Sequence, residues 1–267
     1  MNRFPGWLSV ILFLLAVLAA QLMAAALVAK ILPRGLASLI LVSITNLTVF
    51  LPAVFLGLRW AGLRPRWWGQ GSPRLLLAVL LTVSGATVVL GQVSNLVQFL
   101  WPMPPLLQDF FFDLTSQPLV LLLLALGVVA PLTEELLFRG LVLPGLTRRY
   151  GFPIALISSS LLFGLFHLNP WQALPAALAG LYLGWLRHRT GGVGHSMLAH
   201  AVFNGLPFIA AALGWTVAGY NDAAATHAAF EGPLFFVGGL AASTVGLVLT
   251  TLWAPLSPPA VSDTLAP

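Results

Sequence analysis

The sequence predicts an all-α fold, a polytopic transmembrane helical bundle of about eight spans with both termini cytoplasmic. Three observations point there. Of 267 residues, 59% are hydrophobic and only 7% are charged, against about 25% charged in a soluble domain. The apolar residues fall into long runs divided by short clusters of Arg, Pro and Gly. The 12 basic residues occur in ones and twos between those runs, as topology signals do. A net charge of +5 therefore does not mark a nucleic-acid binder, because no solvated basic stripe is present. There is no cysteine, which removes disulfides, thiolate catalysis and thiolate metal sites together.

Taken in order, the runs lie at about 6–29, 36–58, 75–100, 118–143, 152–168, 171–186, 193–213 and 233–253. The apolar content has room for about eight spans at roughly 20 residues each. The first run exceeds the roughly 7–15 residues of a secretory h-region, so it is expected to be a retained anchor. The fifth and sixth are short, and Asn169-Pro170 between them reads as a tight turn. The Pro-rich, aromatic connection over 101–117 is expected to be an amphipathic loop, with an interfacial lid as the alternative. Gly180 and Gly184 have the spacing that lets helices approach closely. The tail from 254 to 267 is expected to be disordered. The organisation is thus an N-terminal helical part (1–117), a core (118–213), an outer loop with the last helix (214–253) and the tail.

Orientation follows from the connections. With the N-terminus inside, nine basic residues face the cytoplasm (Arg3, Arg59, Arg64, Arg66, Arg74, Arg148, Arg149, Arg187 and Arg189) against Lys30 and Arg34 outside. Asp109, Asp113, Asp222 and Glu231 fall on the outer side. The expected location is the cell membrane, as a multi-pass protein of a bacterial inner membrane. The expected partners are the lipid bilayer and a membrane-associated substrate, with no nucleic acid.

An ionisable side chain inside a span costs about 2.5–3.5 kcal/mol, so it demands a function or a partner. The fourth run holds three, Glu134, Glu135 and Arg139. Glu135 and Arg139 are four apart, on one helix face and within ion-pair reach. Glu134 points about 100° away from Glu135, which leaves it the unpaired carboxylate and suits it to act as a general base. His167 ends the fifth run, one turn after Phe163. His200 and Asn204 share a face of the seventh run, and both need hydrogen-bond partners in a dry setting. His188 is read as solvated, His195 as interfacial with a place lining the entrance as the alternative, and His227 is assigned no chemistry.

In order, the pattern is EExxxR at Glu134–Arg139, FxxxH at Phe163–His167 and HxxxN at His200–Asn204. It resembles that of the CPBP intramembrane proteases, the CAAX protease and bacteriocin-processing (Abi) family, over roughly residues 118–210. The resemblance implies an endopeptidase that hydrolyses a peptide bond of a membrane protein or lipidated peptide. Glu134 and His167 would activate water, and His200 and Asn204 would stabilise the oxyanion. Glu135 and Arg139 would hold the glutamate-bearing helix in register, and Phe163 would pack beside the site. No cofactor is favoured by the resemblance. A Zn²⁺ held by Glu134, His167 and His200 is the open alternative for the mechanism. A non-proteolytic transporter or scaffold using the same buried polar residues is the alternative function.

Overall fold

A computed structural model of the chain describes residues 6–31, 43–221 and 229–255. The described residues are helical with no strand. The helices are α1 (Trp7–Ile31), α2 (Ser43–Ala61), α3 (Pro73–Leu100), α4 (Pro105–Thr115), α5 (Leu119–Tyr150), α6 (Phe152–Leu165), α7 (Pro170–Thr190), α8 (Gly194–Ala212) and α9 (Pro233–Trp253). Eight of them match the predicted apolar runs, and the ninth, α4, forms where a loop was expected. Pro105 opens α4 with the fixed backbone angle that suits a first helical turn. Arg3, Arg34, Asp222, His227 and the tail beyond 255 lie outside the described residues, as does the start of the second run.

Five helices, α1, α2, α3, α5 and α9, are long and apolar enough to cross a bilayer. The chain is a multi-pass membrane protein on that evidence. The expected number of eight crossings is not established by it. At about 1.5 Å per residue, the 14-residue α6 reaches roughly 21 Å, short of a hydrocarbon core of about 30 Å. Apolar side chains face outward along the long helices. On α1, Leu8, Leu12, Leu15 and Met23 are exposed while Val10, Leu14 and Val17 are buried. One face meets the bundle and the other meets lipid.

Contacts between connections sort the two ends of the bundle. At one end, Val193 N–H donates to Arg66 O (2.9 Å), and Gln70 N–H donates to Thr190 O (2.7 Å). There Arg189 also reaches the Pro255 carbonyl (2.6 Å), and Trp7 stacks on Tyr150 (4.8 Å). This gathers Arg64, Arg66, Arg74, Arg148, Arg149, Arg187 and Arg189 at a single end. Gly69 sits so close to the Thr190 carbonyl that a Cβ would stand 2.1 Å from its oxygen, so the clasp requires glycine there. At the other end, Trp171 Nε1–H donates to Trp101 O (2.7 Å), Asn95 donates to Gly219 O (2.6 Å) and the Thr87 and Tyr220 hydroxyls meet at 3.0 Å. Trp60, Trp67 and Trp68 are exposed at the basic end, and Trp101 and Trp215 at the other. Two such aromatic belts mark the levels of two membrane interfaces.

The scaffold beneath the site is a pair of closely packed antiparallel helices. Gly85, Gly239 and Gly246 let α3 and α9 touch backbone to backbone; a Cβ on Gly246 would lie 2.3 Å from Thr82 N. The Thr82 and Thr250 hydroxyls pair across the seam at 3.1 Å. Gly246→Leu is therefore expected to force the helices apart. Overpacking of this kind costs about 1–3 kcal/mol, visible as a lowered thermal midpoint in detergent, whereas an exposed Val248→Leu should leave the midpoint unchanged.

Candidate active site

The site is built on α5, whose winding is irregular. Wide π-type turns occupy Leu123–Val129 and Leu136–Val142, and each ends just before a proline, Pro131 and Pro144. A proline ring collides with the carbonyl four residues back and removes one hydrogen bond, so the preceding turn opens. Such turns recur at functional sites. Here they flank Glu134 and Glu135, midway between the two ends of α5.

Arg139 and Glu135 form a fully buried ion pair, Nη1 to Oε1 at 2.8 Å, with neither side chain exposed. The guanidinium also donates through Nη2 to the Gly180 carbonyl of α7 at 3.2 Å and lies over the Phe163 ring at 4.4 Å from its centroid. Burial of two charges is tolerable only where such additional hydrogen bonds are made. A Cβ on Gly180 would stand 3.2 Å from Arg139 Nη2, so the small residue admits the guanidinium as well as the neighbouring helix. The sequence gives no sign of this contact, because its acceptor is a main-chain oxygen.

Glu135 has a second task. His200 Nδ1 stands 3.0 Å from the same Oε1. A carboxylate paired with Arg139 can only accept, so Nδ1 carries the hydrogen. In neutral His200 the Nε2 lone pair then points away from Glu135, and Nε2 lies 3.8 Å from Glu134 Oε2. Ser196, fully buried one turn before His200, adjoins the Glu135 carboxylate and donates to Val193 O at 2.9 Å. Nothing in the sequence marks it out among the serines.

His167 is fixed in the same manner. Its Nδ1 meets the Phe163 carbonyl at 3.0 Å, which selects the Nδ1–H tautomer and leaves Nε2 as an acceptor. Asn204 Nδ2 donates to Leu126 O at 2.9 Å, and an amide nitrogen has a second hydrogen to offer. Phe163 is more central than a residue packing beside the site. Its ring meets His167 edge-on at 5.1 Å and His200 at 5.7 Å as well as carrying Arg139.

A cavity of about 260 Å³ is lined by His167, His200 and Asn204 together with Phe163, Ser94 and Tyr220. The structure thus brings three of the four candidate catalytic side chains to one space. Glu134 is not among the residues of that lining. It stands beside His200, its side chain 18% exposed and its Oε2 buried without a hydrogen-bond partner. His195, read as interfacial, is instead buried at the basic end against Trp68 and Gly71, five residues before His200 on α8. His188 stacks on Phe152 at 3.6 Å at that same end, and burial with Arg187 and Arg189 beside it holds its imidazole below the usual range.

Among the described residues, no three of His, Asp and Glu stand close enough together to hold one metal ion. As placed, Glu134, His167 and His200 do not form such a group.

Residues 116–206 match the family model described as Type II CAAX prenyl endopeptidase Rce1-like. The UPF0177 protein YxdF of Lactococcus lactis subsp. lactis (strain IL1403) is 31% identical over 80 residues, 30% of this chain and 44% of that protein. An uncharacterized 24.3 kDa protein of Escherichia coli is 35% identical over 104 residues, 37% of this chain and 48% of that one. The chain thus spans about half the length of the curated relatives it matches. No solved structure matches. Over the helices that build the site, about a third of its length, this chain is similar to the Rce1-like family of Type II CAAX prenyl endopeptidases.

Proposed function

We propose that the protein is an intramembrane endopeptidase that hydrolyses a peptide bond with a water activated by Glu134 and His167. One observation carries this reading: His167, His200 and Asn204 face a single cavity, and Glu134 stands 3.8 Å from His200 Nε2. In the proposed reaction Glu134 takes a proton from water as the oxygen attacks the carbonyl carbon, with His167 Nε2 accepting a hydrogen bond from the same water. Negative charge gathers on the former carbonyl oxygen, facing the second amide hydrogen of Asn204 and the imidazole of His200. Preorganised donors of this kind contribute most where water is excluded. To donate through Nε2, His200 must hold a second proton, and the Glu135 carboxylate at its Nδ1 stabilises that cation. As the C–N bond breaks, the proton held by Glu134 passes to the departing nitrogen. His167→Gln, which shifts the acceptor that orients the water, is expected to lower the cleavage rate by about 10²-fold, the cost of a misplaced reacting group.

The test is cleavage of a membrane-peptide library by the purified full chain in detergent, read by mass spectrometry. Wild-type protein is expected to cut, His167→Gln to cut slowly or not at all, and a chelator to leave the wild-type rate unchanged. Loss of activity on chelation, restored by Zn²⁺, would replace the glutamate mechanism with a metal one. Equal cleavage by wild type and His167→Gln would remove His167 from the chemistry. A transporter or scaffold would yield no cleavage by either protein.

A further inference from the structure

We infer that Glu231 is held as a neutral carboxylic acid beside the catalytic cavity, where it seats Tyr220 in the cavity wall, and that loss of its proton frees Tyr220 from that wall. Glu231 is thus a positioning residue. Its bearing on catalysis rests on the endopeptidase reading; its proton does not. Tyr220 lines the cavity together with His167, His200 and Asn204, and so do Thr87, Gly91 and Ser94 of α3. Glu231 belongs to the connection before α9. A Cβ on Gly91 would lie 3.4 Å from Glu231 Oε1 and 3.9 Å from the Tyr220 ring, so the carboxyl and the phenol share one bare turn of α3. Glu231 is 7% exposed, and both of its carboxyl oxygens are buried without a hydrogen-bond partner. The amide nitrogen of Gln92, which adjoins the carboxyl, is buried and unpartnered as well.

Burying an ionised carboxylate without a partner costs far more than burying the neutral acid. Burial accordingly pushes the Glu231 carboxyl up from its ordinary range, with Gln92 opposing in part. Residues 85–100 of α3 and the whole of α9 bear no ionisable side chain, and Tyr220 is the titratable group that faces Glu231 among the described residues. Asp222 and His227 of the same connection lie outside the described residues. A neutral acid suits this setting. Its O–H donates to an amide oxygen while its C=O accepts from the amide nitrogen, a two-point pairing with Gln92 that a carboxylate, which only accepts, does not make. Tyr220 is held from several sides. Its hydroxyl meets Thr87 Oγ1 at 3.0 Å, its ring meets Phe235 edge-on at 5.3 Å, and its N–H donates to Val217 O at 3.0 Å. Asn221 N–H shares that acceptor at 3.2 Å. Gly219, at φ +76°, lies against the Ala229 carbonyl with Glu231 N beside it, so the turn that carries Tyr220 is packed on the backbone that carries Glu231. An ionised Glu231 gains by reaching water, and its departure undoes that packing.

Seated Glu231 keeps its proton to a higher pH than released Glu231. Between those two pKa values each opening therefore releases one proton to water, and the opened population rises about tenfold per pH unit. Below the ordinary carboxyl range both forms hold the proton and the population is constant. The test is hydrogen–deuterium exchange of the purified full chain in detergent, over a pH series that starts near the ordinary carboxyl range. The readout is exchange at the Tyr220 and Asn221 amides, as the ratio of wild type to Glu231→Gln at each pH, which cancels the intrinsic pH dependence. Glutamine keeps a neutral two-point pairing and has no proton to lose. The ratio is expected to climb about tenfold per pH unit and then level off. Should Glu231→Gln fail to accumulate, the amides of α9 in the same wild-type sample supply the reference, since their protection is expected not to change with pH. A ratio that stays flat through the series overturns the inference, as does one that falls. Exchange needs no turnover, so the seat can fail while cleavage stands, and cleavage can fail while the seat stands.

Discussion

Glu134→Gln is expected to abolish detectable cleavage, a loss of about 10²–10⁴-fold from proton transfer alone, with the thermal midpoint in detergent unchanged. The two halves of that expectation come from different parts of the geometry. Glutamine has the same shape and can still meet His200, but it cannot take a proton from water. Glu134 takes no part in the buried pair between Glu135 and Arg139, and its side chain keeps 18% exposure. Its Oε2 is buried without a hydrogen-bond partner, so an amide of the same shape breaks no hydrogen bond that the fold uses. Parallel rate and melting measurements on the purified variant check it. A variant that cuts at the wild-type rate would remove Glu134 from the chemistry; one that fails to fold would give it a structural role instead.

Arg139→Leu is expected to have the largest effect on stability. It leaves the Glu135 carboxylate buried, with His200 Nδ1 as its remaining charge partner. Breaking one side of a buried ion pair costs about 3–5 kcal/mol, whereas replacing both partners with apolar residues is often neutral or stabilising. The double variant Glu135→Leu/Arg139→Leu should therefore recover much of the lost midpoint. It should not recover cleavage. His200 Nδ1 would lose its acceptor, and with it the preference for the tautomer and charge state that the reaction requires. Stability and activity would thus part company in the double variant. Recovery of both together would mean that Glu135 and Arg139 only hold helices in place.

Much of the fold was legible because hydrophobic runs have to match helices when backbone groups find no water. The runs at 75–100, 152–168 and 233–253 correspond closely to α3, α6 and α9. The pairing of Glu135 with Arg139 was legible as well, since an i,i+4 pair is a local property of one helix and Arg139 does meet Glu135. What escaped the sequence depends on contacts between distant segments. Glu135 and His200 are 65 positions apart, and no periodicity relates them. The Gly180 carbonyl that receives Arg139 is a main-chain atom, identical at every residue. The spacing of Gly180 and Gly184 therefore announced packing alone. The wide turns of α5 were hidden because a proline signals that a hydrogen bond is lost without saying how the helix absorbs it. The helix at Pro105–Thr115 was missed because Pro and aromatic residues signal turns and interfaces more strongly than helices.

Whether Glu134 drives hydrolysis of peptide bonds in the membrane is measurable without knowledge of the substrate. Membranes from cells making wild-type protein or Glu134→Gln at matched levels are compared by sequencing the new N-termini of their proteins. A set of termini present with the wild type and missing with Glu134→Gln is the expected result. Identical sets, with both proteins folded in the membrane, would contradict it.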